Sequence, residues 1–218
     1  MNTNPHAKRI LCYGDSYTWG YIPSSNHERY PANVRLTGVL QELLGANFEI
    51  IEEGLNSRTL ISDDSRPGKE GRNGSTYIIP CLDTHDPIDL VILLLGTNEL
   101  KDEYNSKENE IEDLVESHYV KVIINRKSQF SDKKPKLLLI SPPKIDLTKD
   151  YALKRYSKSK ELNNKIPAIY ERIATKYNCL FLDTSKVVKV GSDGIHMDLL
   201  NHRKLAEMMA EIVNTHMF

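Results

Sequence analysis

A serine, an aspartate and a histidine occur in two short segments near opposite ends of the chain. Ser16 closes the stretch YGDS, directly after an apolar run, while Asp193 and His196 begin and end the stretch DGIH. A serine hydroxyl becomes a nucleophile when a base takes its proton, and a carboxylate beside an imidazole fixes the tautomer that does so. The three residues therefore predict a nucleophilic triad, although each stretch alone is also compatible with an ordinary turn or surface pair.

Two further segments carry groups that could stabilise negative charge. Asn98 lies in GTNE, after the strongest apolar run, and the stretch GLNSRT follows another run. An asparagine amide donates hydrogen bonds without carrying charge, and one such donor to an oxyanion is typically worth roughly 3–4 kcal/mol of barrier. A backbone N–H in GLNSRT could supply a second donor. The alternatives are a turn asparagine and an ordinary strand-to-helix turn.

Five short apolar runs predict the strands that position these residues. They are rich in Leu, Ile and Val and mostly lack alternation with polar residues, which is typical of strands covered on both faces. The runs are Ile10–Tyr13, Phe48–Ile51, Leu90–Leu95, Lys136–Ile140 and Cys179–Leu182. Helices are predicted over residues 36–44, 110–125 and 156–177, the third kinked or split by Pro167, and after Asp198, a candidate N-cap.

Strands that alternate with helices predict a mostly parallel five-stranded sheet between two helical layers, a flavodoxin-like three-layer α/β/α sandwich. The length of 218 residues suits one domain over 1–218. Because ligands of such sheets bind at the carboxyl ends of the strands, the four segments above would meet at one edge. The polar loop Ser62–Ser75 is predicted to be a lid or a binding loop.

The composition excludes several other classes of protein. The 29 basic and 30 acidic residues give a net charge of −1, so nucleic acid and anionic membranes are not expected as partners, although a local basic patch is compatible with this balance. The longest apolar run is too short to span a bilayer. Three cysteines without a CxxC pair and scattered histidines, His202 among them as a surface residue, predict a cytoplasmic protein with no metal and no cofactor.

Taken together, the segments resemble the SGNH hydrolases, also called GDSL-like lipases and acylhydrolases. GDSYTWG is similar to the first block of that family, GTNE to the third and DGIH to the last, and the resemblance runs from about Arg9 to Ile212. The resemblance is greater to the arylesterase and acyltransferase branch of the family. The segments that carry it are ILCYGDSYTWGYIP, RYPANVRLTGVL, FEIIEEGLNSRT, NGSTYIIPCLDTH and ISPP. The resemblance implies a three-layer fold and a serine esterase.

Carried over residue by residue, the resemblance makes Ser16 the nucleophile and a backbone donor, Asn98 a side-chain donor, His196 the base and Asp193 its orienting acid. Two positions depart from the family pattern. The second block commonly supplies a glycine N–H, where counting back from Thr59 places Ser57, with Gly54 as the less favoured alternative. The third block commonly ends in Asp, where this chain has Glu99, which is expected to support the loop.

The predicted activity is hydrolysis of small carboxylic esters, such as short-acyl or aryl esters or acetylated sugars. Asp15, Tyr17, Trp19 and Tyr21 surround the nucleophile in sequence and are candidate substrate-binding residues; the aromatic three could equally pack the domain or a subunit contact. The branch tends to oligomerise, which implies a homo-oligomer. The alternatives are an acyltransferase or perhydrolase with the same triad and an inactive ligand-binding relative. A nucleotide-binding module is disfavoured because no phosphate-binding glycine motif is present.

Overall fold

The computed structural model describes residues 2–128 and 133–217 and contains one parallel sheet of five strands. The strand order is β2-β1-β3-β4-β5. The strands are β1 (Lys8–Gly14), β2 (Phe48–Gly54), β3 (Leu90–Leu94), β4 (Lys136–Ser141) and β5 (Leu180–Asp183). Each coincides with a predicted apolar run, so the predicted strands and their parallel arrangement are confirmed.

Helices cover both faces of the sheet. They are α1 (Ser16–Trp19), α2 (Leu36–Leu44), α3 (Ile78–His85), α4 (Glu108–Val115), α5 (Lys121–Ile124), α6 (Asp150–Tyr156), α7 (Lys160–Tyr177) and α8 (Leu199–Met217). Along β1 the side chains alternate between two buried clusters: Ile10 and Cys12 join the core under α2 and α8, while Leu11 and Tyr13 join the core under α3, α4 and α7. The predicted three-layer sandwich is therefore confirmed.

Burial differs between the central and the outer strands. All five residues of β3 are buried, whereas β2 and β5, which lie at the two edges, are mostly half-buried. An edge strand has a neighbouring strand on one side only and stays partly open to water, so it can carry charged side chains. Glu52 of β2, for example, forms an ion pair with Arg35 at 2.7 Å. The apolar pattern thus marks the central strands fully and the outer strands in part.

The helix predictions hold with two adjustments. The segment predicted over residues 110–125 consists of α4 and α5 joined by a π-helical turn, Glu116–Val120. Pro167 does not split α7. The buried residues Ile166, Ile169 and Tyr170 lie on both sides of the proline and pack the helix against the sheet. The break lies earlier, where a 3₁₀ turn over Ser157–Ser159 separates α6 from α7. Within residues 2–128 and 133–217, no helix has the length and apolar character needed to cross a bilayer.

His202 was expected at the surface, and the structure shows that this prediction is wrong. Its side chain lies between α8 and α2 and is 1% exposed. Its Nδ1 accepts a hydrogen bond of 3.2 Å from the backbone N–H of Leu36, the first residue of α2. The apolar stripe of α8 packs against α2, and this packing buries the imidazole too. By contrast Asp198 caps α8 as predicted, because its Oδ1 accepts the N–H of Asn201 at 2.9 Å.

Two glycines allow α1 to lie directly on the edge of the sheet. Gly14 and Gly54 end the neighbouring strands β1 and β2. A Cβ atom at Gly14 would stand 2.2 Å from Thr18 Oγ1, and one at Gly54 would stand 2.3 Å from the backbone nitrogen of Trp19. Any larger residue would therefore push α1 away from the sheet. Ser16, the first residue of α1, is placed at the carboxyl ends of the strands by this close approach.

Candidate active site

Ser16 occupies the turn between β1 and α1. Its neighbour Asp15 caps the helix, since its Oδ1 accepts the N–H of Tyr17 at 3.0 Å. As the first residue of α1, Ser16 has a backbone N–H without an intrahelical acceptor. The residue is buried, at 6% exposure. The residue therefore presents a hydroxyl from this short turn, together with an N–H that donates to no acceptor among residues 2–128 and 133–217.

Asp193 and His196 form a preorganised pair in the loop before α8. The imidazole Nδ1 lies 2.7 Å from Asp193 Oδ2, and Asp193 Oδ1 accepts the backbone N–H groups of Ile195 and His196 at 2.9 Å each. Burial alone would raise the pKa of Asp193, but these hydrogen bonds and the adjacent imidazole lower it to about 2. A carboxylate that is ionised at neutral pH thus orients the imidazole, with Nε2 left for chemistry.

The second donor segment forms a tight turn after β2. The N–H of Arg58 donates to the carbonyl of Leu55 at 3.0 Å, and Ser57 at the third position has φ +64°. This left-handed conformation favours glycine, which explains why the resembled family commonly has glycine there. No hydrogen bond within the described part of the chain uses the N–H of Ser57. That N–H is therefore free to act as a donor.

Asn98 follows β3 in a 3₁₀ turn, Thr97–Leu100. Its Nδ2 donates to the carbonyl of Arg58 at 3.1 Å and lies 3.4 Å from Asp15 Oδ2. The amide is thus anchored between the other two donor segments. Burial raises the pKa of Asp15 to about 7, although the Tyr17 N–H and the nearby cations Arg58 and Lys101 act in the opposite direction.

Glu99 holds two loops of the site together. Its Oε2 accepts the backbone N–H of Leu60 at 2.7 Å, and its Oε1 accepts the hydroxyl of Ser62. The side chain is 1% exposed, so both contacts are formed away from water. The prediction that Glu99 supports the loop is confirmed.

A small cavity of about 60 Å³ brings the predicted residues of the reaction together. The predicted catalytic and donor residues that line it are Ser16, Ser57, Asn98 and His196. Gly54 is absent from the described lining, which favours Ser57 as the donor of the second segment. Within the described residues no hydrogen bond joins Ser16 Oγ to the imidazole, as is common in free enzymes, where this bond tightens when substrate binds.

The four candidate substrate-binding residues lie in different places. Tyr21 lines the cavity and stacks on the imidazole of His196, with ring centroids 4.2 Å apart. Tyr17 is buried beneath the site and donates from its hydroxyl to the carbonyl of Ile195 at 2.7 Å, so it packs the domain. Asp15 is fully buried as the cap of α1, and Trp19 lies beside Tyr21 but outside the cavity lining. Of the four, only Tyr21 belongs to the described lining of the cavity.

Most of the other cavity residues lie outside the motifs. Asn56, Thr97 and Ile195 belong to the stretches GLNSRT, GTNE and DGIH. The rest of the lining is formed by His27, Arg66, Lys69, Lys101, Tyr151, Arg155 and Tyr156. Arg66 and Lys69 belong to the polar loop Ser62–Ser75, so its predicted contribution to a binding site is supported by their position. Arg155 comes from α6, which carries no recognisable motif and was not predicted as a separate helix.

Metal-ligand side chains also meet away from this cavity, where the sequence predicted no cluster. The ligand atoms of Glu53, Cys81 and His85 lie within 4.8 Å of one another. His85 Nε2 is 2.8 Å from Glu53 Oε1, and burial raises the pKa of the Cys81 thiol to about 12. A metal would have to displace the proton of a fully buried thiol, so the arrangement fits a hydrogen-bonded pair beside a core cysteine.

Comparison with known proteins agrees with this geometry. The family described as "GDSL-like Lipase/Acylhydrolase family" matches residues 12–206. An inhibitor-bound aryl esterase of M. smegmatis is 35% identical and superposes with a TM-score of 0.88, covering 96% of this chain and 99% of its own. Est24, a carbohydrate acetylesterase from Sinorhizobium meliloti, is 32% identical with a TM-score of 0.87, over 97% and 100% of the two chains. The chain matches none of the curated proteins compared with it. On its sequence and its fold, this chain belongs to the GDSL-like lipase/acylhydrolase family and is a carboxylic ester hydrolase.

Proposed function

We propose that the chain hydrolyses small carboxylic esters through an acyl-enzyme on Ser16. The observation that carries this proposal is the 2.7 Å contact between Asp193 and His196, whose imidazole lines the same cavity as Ser16. His196 Nε2 takes the proton of the serine hydroxyl as Ser16 attacks the ester carbonyl. The imidazolium then protonates the leaving alcohol, and water activated by the same imidazole releases the acid.

Three donors would hold the oxyanion that forms during each step. They are the backbone N–H groups of Ser16 and Ser57 and the side-chain amide of Asn98. Asn98 keeps its 3.1 Å bond to the carbonyl of Arg58 and gives up the longer 3.4 Å contact with Asp15 when the oxyanion arrives. Because these donors are fixed by the fold before the substrate binds, little reorganisation is needed in the transition state.

The dimensions of the site favour a short acyl group. The cavity at Ser16, about 60 Å³, is far below the roughly 300–1,000 Å³ of pockets that enclose a whole drug-sized ligand. Tyr21 closes it on the side of the imidazole. An acetyl group suits this space, and the name of the carbohydrate acetylesterase neighbour supports the same choice.

Hydrolysis of p-nitrophenyl acetate tests the proposal. Replacing Ser16 with alanine should lower kcat by roughly 10³-fold or more, since the attacking atom is lost while the donors remain. Ser117, a half-buried residue of the π-helical turn after α4 that lies outside the cavity lining, provides a matched control, and Ser117→Ala should keep the wild-type rate. Equal rates for wild type and Ser16→Ala would refute Ser16 as the nucleophile.

We further propose a cytoplasmic homo-oligomer. The three cysteines are all free thiols and two of them are buried, which supports a reducing compartment. Leu199 and Leu200, at the start of α8, are 48% and 60% exposed, and adjacent exposed leucines support a subunit contact. Light scattering coupled to size-exclusion chromatography measures the mass, and a monomer of 24.9 kDa would contradict the oligomer.

A further inference from the structure

The wall of the active-site cavity is strongly basic. Its lining includes Arg66, Lys69, Lys101 and Arg155, and no carboxylate among the described residues. This concentration of positive charge contrasts with the net charge of −1 for the whole chain. A neutral ester substrate would not account for this positive charge, because neighbouring cations in a small cavity repel one another and lose hydration.

Lys101 is the most informative of these cations. The residue is 7% exposed, and its Nζ is buried without a hydrogen-bond acceptor. The nearest carboxylate oxygens, of Asp64 and Glu103, are each 3.9 Å away, beyond hydrogen-bonding distance. Burial, together with the charge of Arg66, lowers the pKa of Lys101. The ammonium group of Lys101 is buried at the cavity wall and its N–H donors are unused. A ligand in the cavity could supply the missing acceptor.

The acidic residues nearby neutralise this surface only in part. Glu103 lies 3.9 Å from Lys101 Nζ, but its side chain is 48% exposed to water. Asp64 already binds Arg66, whose Nε donates to it at 2.8 Å. Asp102 is engaged by the N–H and hydroxyl of Ser157 at 3.0 and 2.6 Å. The guanidinium of Arg155 contacts Tyr151, by a hydrogen bond to its carbonyl at 3.2 Å and by stacking over its ring at 3.7 Å. Its guanidinium therefore keeps donors free for an anion.

The basic residues continue outward from the cavity. A larger groove of about 500 Å³ shares Arg66, Lys101 and Arg155 with the active-site cavity. It adds Lys154, Asp102 and Glu103, so its lining has four cations and two carboxylates. The inner cavity has room for a short acyl group, so the alcohol part of an ester attacked by Ser16 would extend into this groove. The shared cations would then lie beside the leaving group.

Building on the proposed esterase function, we propose that the alcohol part of the substrate carries an anionic oxygen group, such as a carboxylate, which Lys101 and Arg155 bind in the outer groove. Arg66 lines the same groove but is already paired with Asp64, so it contributes less. The charge raises specificity for acidic esters over neutral esters of the same size, because the anion meets a buried ammonium and a guanidinium that is held in place by its stacking on Tyr151.

A matched pair of aryl acetates tests this inference. In 4-acetoxyphenylacetate and its neutral amide, 4-acetoxyphenylacetamide, a methylene group insulates the ring, so the two phenol leaving groups have similar reactivity. The wild-type enzyme should show a kcat/KM for the acid roughly ten-fold above that for the amide, the size expected of one charge-assisted hydrogen bond. Raising the salt concentration to about 1 M should reduce this preference by screening.

Variants assign the preference to the groove. Lys101→Met should lower the acid-to-amide ratio roughly ten-fold. Arg155→Gln should lower it about three-fold, because Arg155 is partly exposed and its charge is more strongly screened by water. Lys204→Gln removes an exposed charge from α8, outside both cavities, and should leave the ratio unchanged. Circular dichroism checks that Lys101→Met folds; if it does not, Arg155→Gln and the salt dependence decide the question.

The outcomes separate this inference from the esterase proposal. An acid-to-amide ratio of kcat/KM near one or below in the wild type would overturn the anionic substrate. So would a ratio that is unchanged in Arg155→Gln and insensitive to salt. In either case, hydrolysis of the amide that depends on Ser16 would leave the proposed esterase function intact. Failure of both acetates to react, or hydrolysis unaffected by Ser16→Ala, would instead overturn the proposed function.

Discussion

Replacing Asp193 with asparagine tests how the carboxylate directs the imidazole. In the structure Asp193 Oδ2 receives the Nδ1–H of His196, while Oδ1 receives two backbone N–H groups. An asparagine can keep the backbone contacts through its carbonyl oxygen, but its NH₂ group would then face Nδ1. That donor favours the tautomer with the proton on Nε2, which cannot accept the proton of Ser16.

Two magnitudes follow from this geometry. The wrong tautomer should lower kcat about 10⁴-fold, equivalent to about 5 kcal/mol of barrier. The pKa of Asp193, about 2 against an ordinary 3.8, gives the folded wild type about 2 kcal/mol that is present above pH 4 and lost as the pH falls toward 2. Asparagine does not titrate, so the variant should lack this acid-dependent part of its stability.

Steady-state hydrolysis of p-nitrophenyl acetate and urea unfolding measure the two effects on the same preparation. Asp193→Ala is the control, because it removes the backbone contacts as well and should be less stable than Asp193→Asn at neutral pH. If Asp193→Asn retains kcat within ten-fold of wild type while Ser16→Ala is inactive, the carboxylate does not select the tautomer and this account of the triad fails.

Two predictions concern residues outside the reaction itself. Burial lowers the pKa of His202 to about 4, so the folded state resists protonation; stability should be full above about pH 6.5 and fall by up to about 3 kcal/mol as the pH drops through 4. Urea unfolding at pH 7.5 and 4.5 should show a smaller loss for His202→Asn, whose side-chain oxygen can still accept the N–H of Leu36; an identical loss would contradict the buried neutral imidazole. Glu99→Asp, which restores the residue common in the family, is one methylene too short for the buried 2.7 Å bond to Leu60, so it should cost about 1–3 kcal/mol in the free energy of unfolding. Glu99→Gln retains that acceptor and serves as its comparison, and an Asp variant as stable as wild type would show that the loop adjusts.

The strands, the order of layers and the placement of Ser16, Asn98 and the DGIH stretch were predictable because each depends on local chemistry. A buried central strand needs a continuous apolar run, and a polar residue directly after such a run must lie at the edge of the sheet. The two positions that depart from the family pattern could also be located by counting along the sequence. Ser57, the first of them, does occupy a left-handed backbone position that suits glycine. The local effect of Pro167 predicts a kink or a break, yet packing of the buried face keeps α7 a single helix.

The sequence by itself determined which groups could react and at which edge of the sheet they would meet, since strand polarity and periodicity are properties of short segments. Only the tertiary structure decided which neighbours surround those groups. The stacking of Tyr21 on His196, the burial of His202 against α2 and the meeting of Lys101 with Arg155 join residues far apart in the chain. Such contacts depend on how helices and loops pack, which no local spacing encodes, and they set the charge and the size of the site.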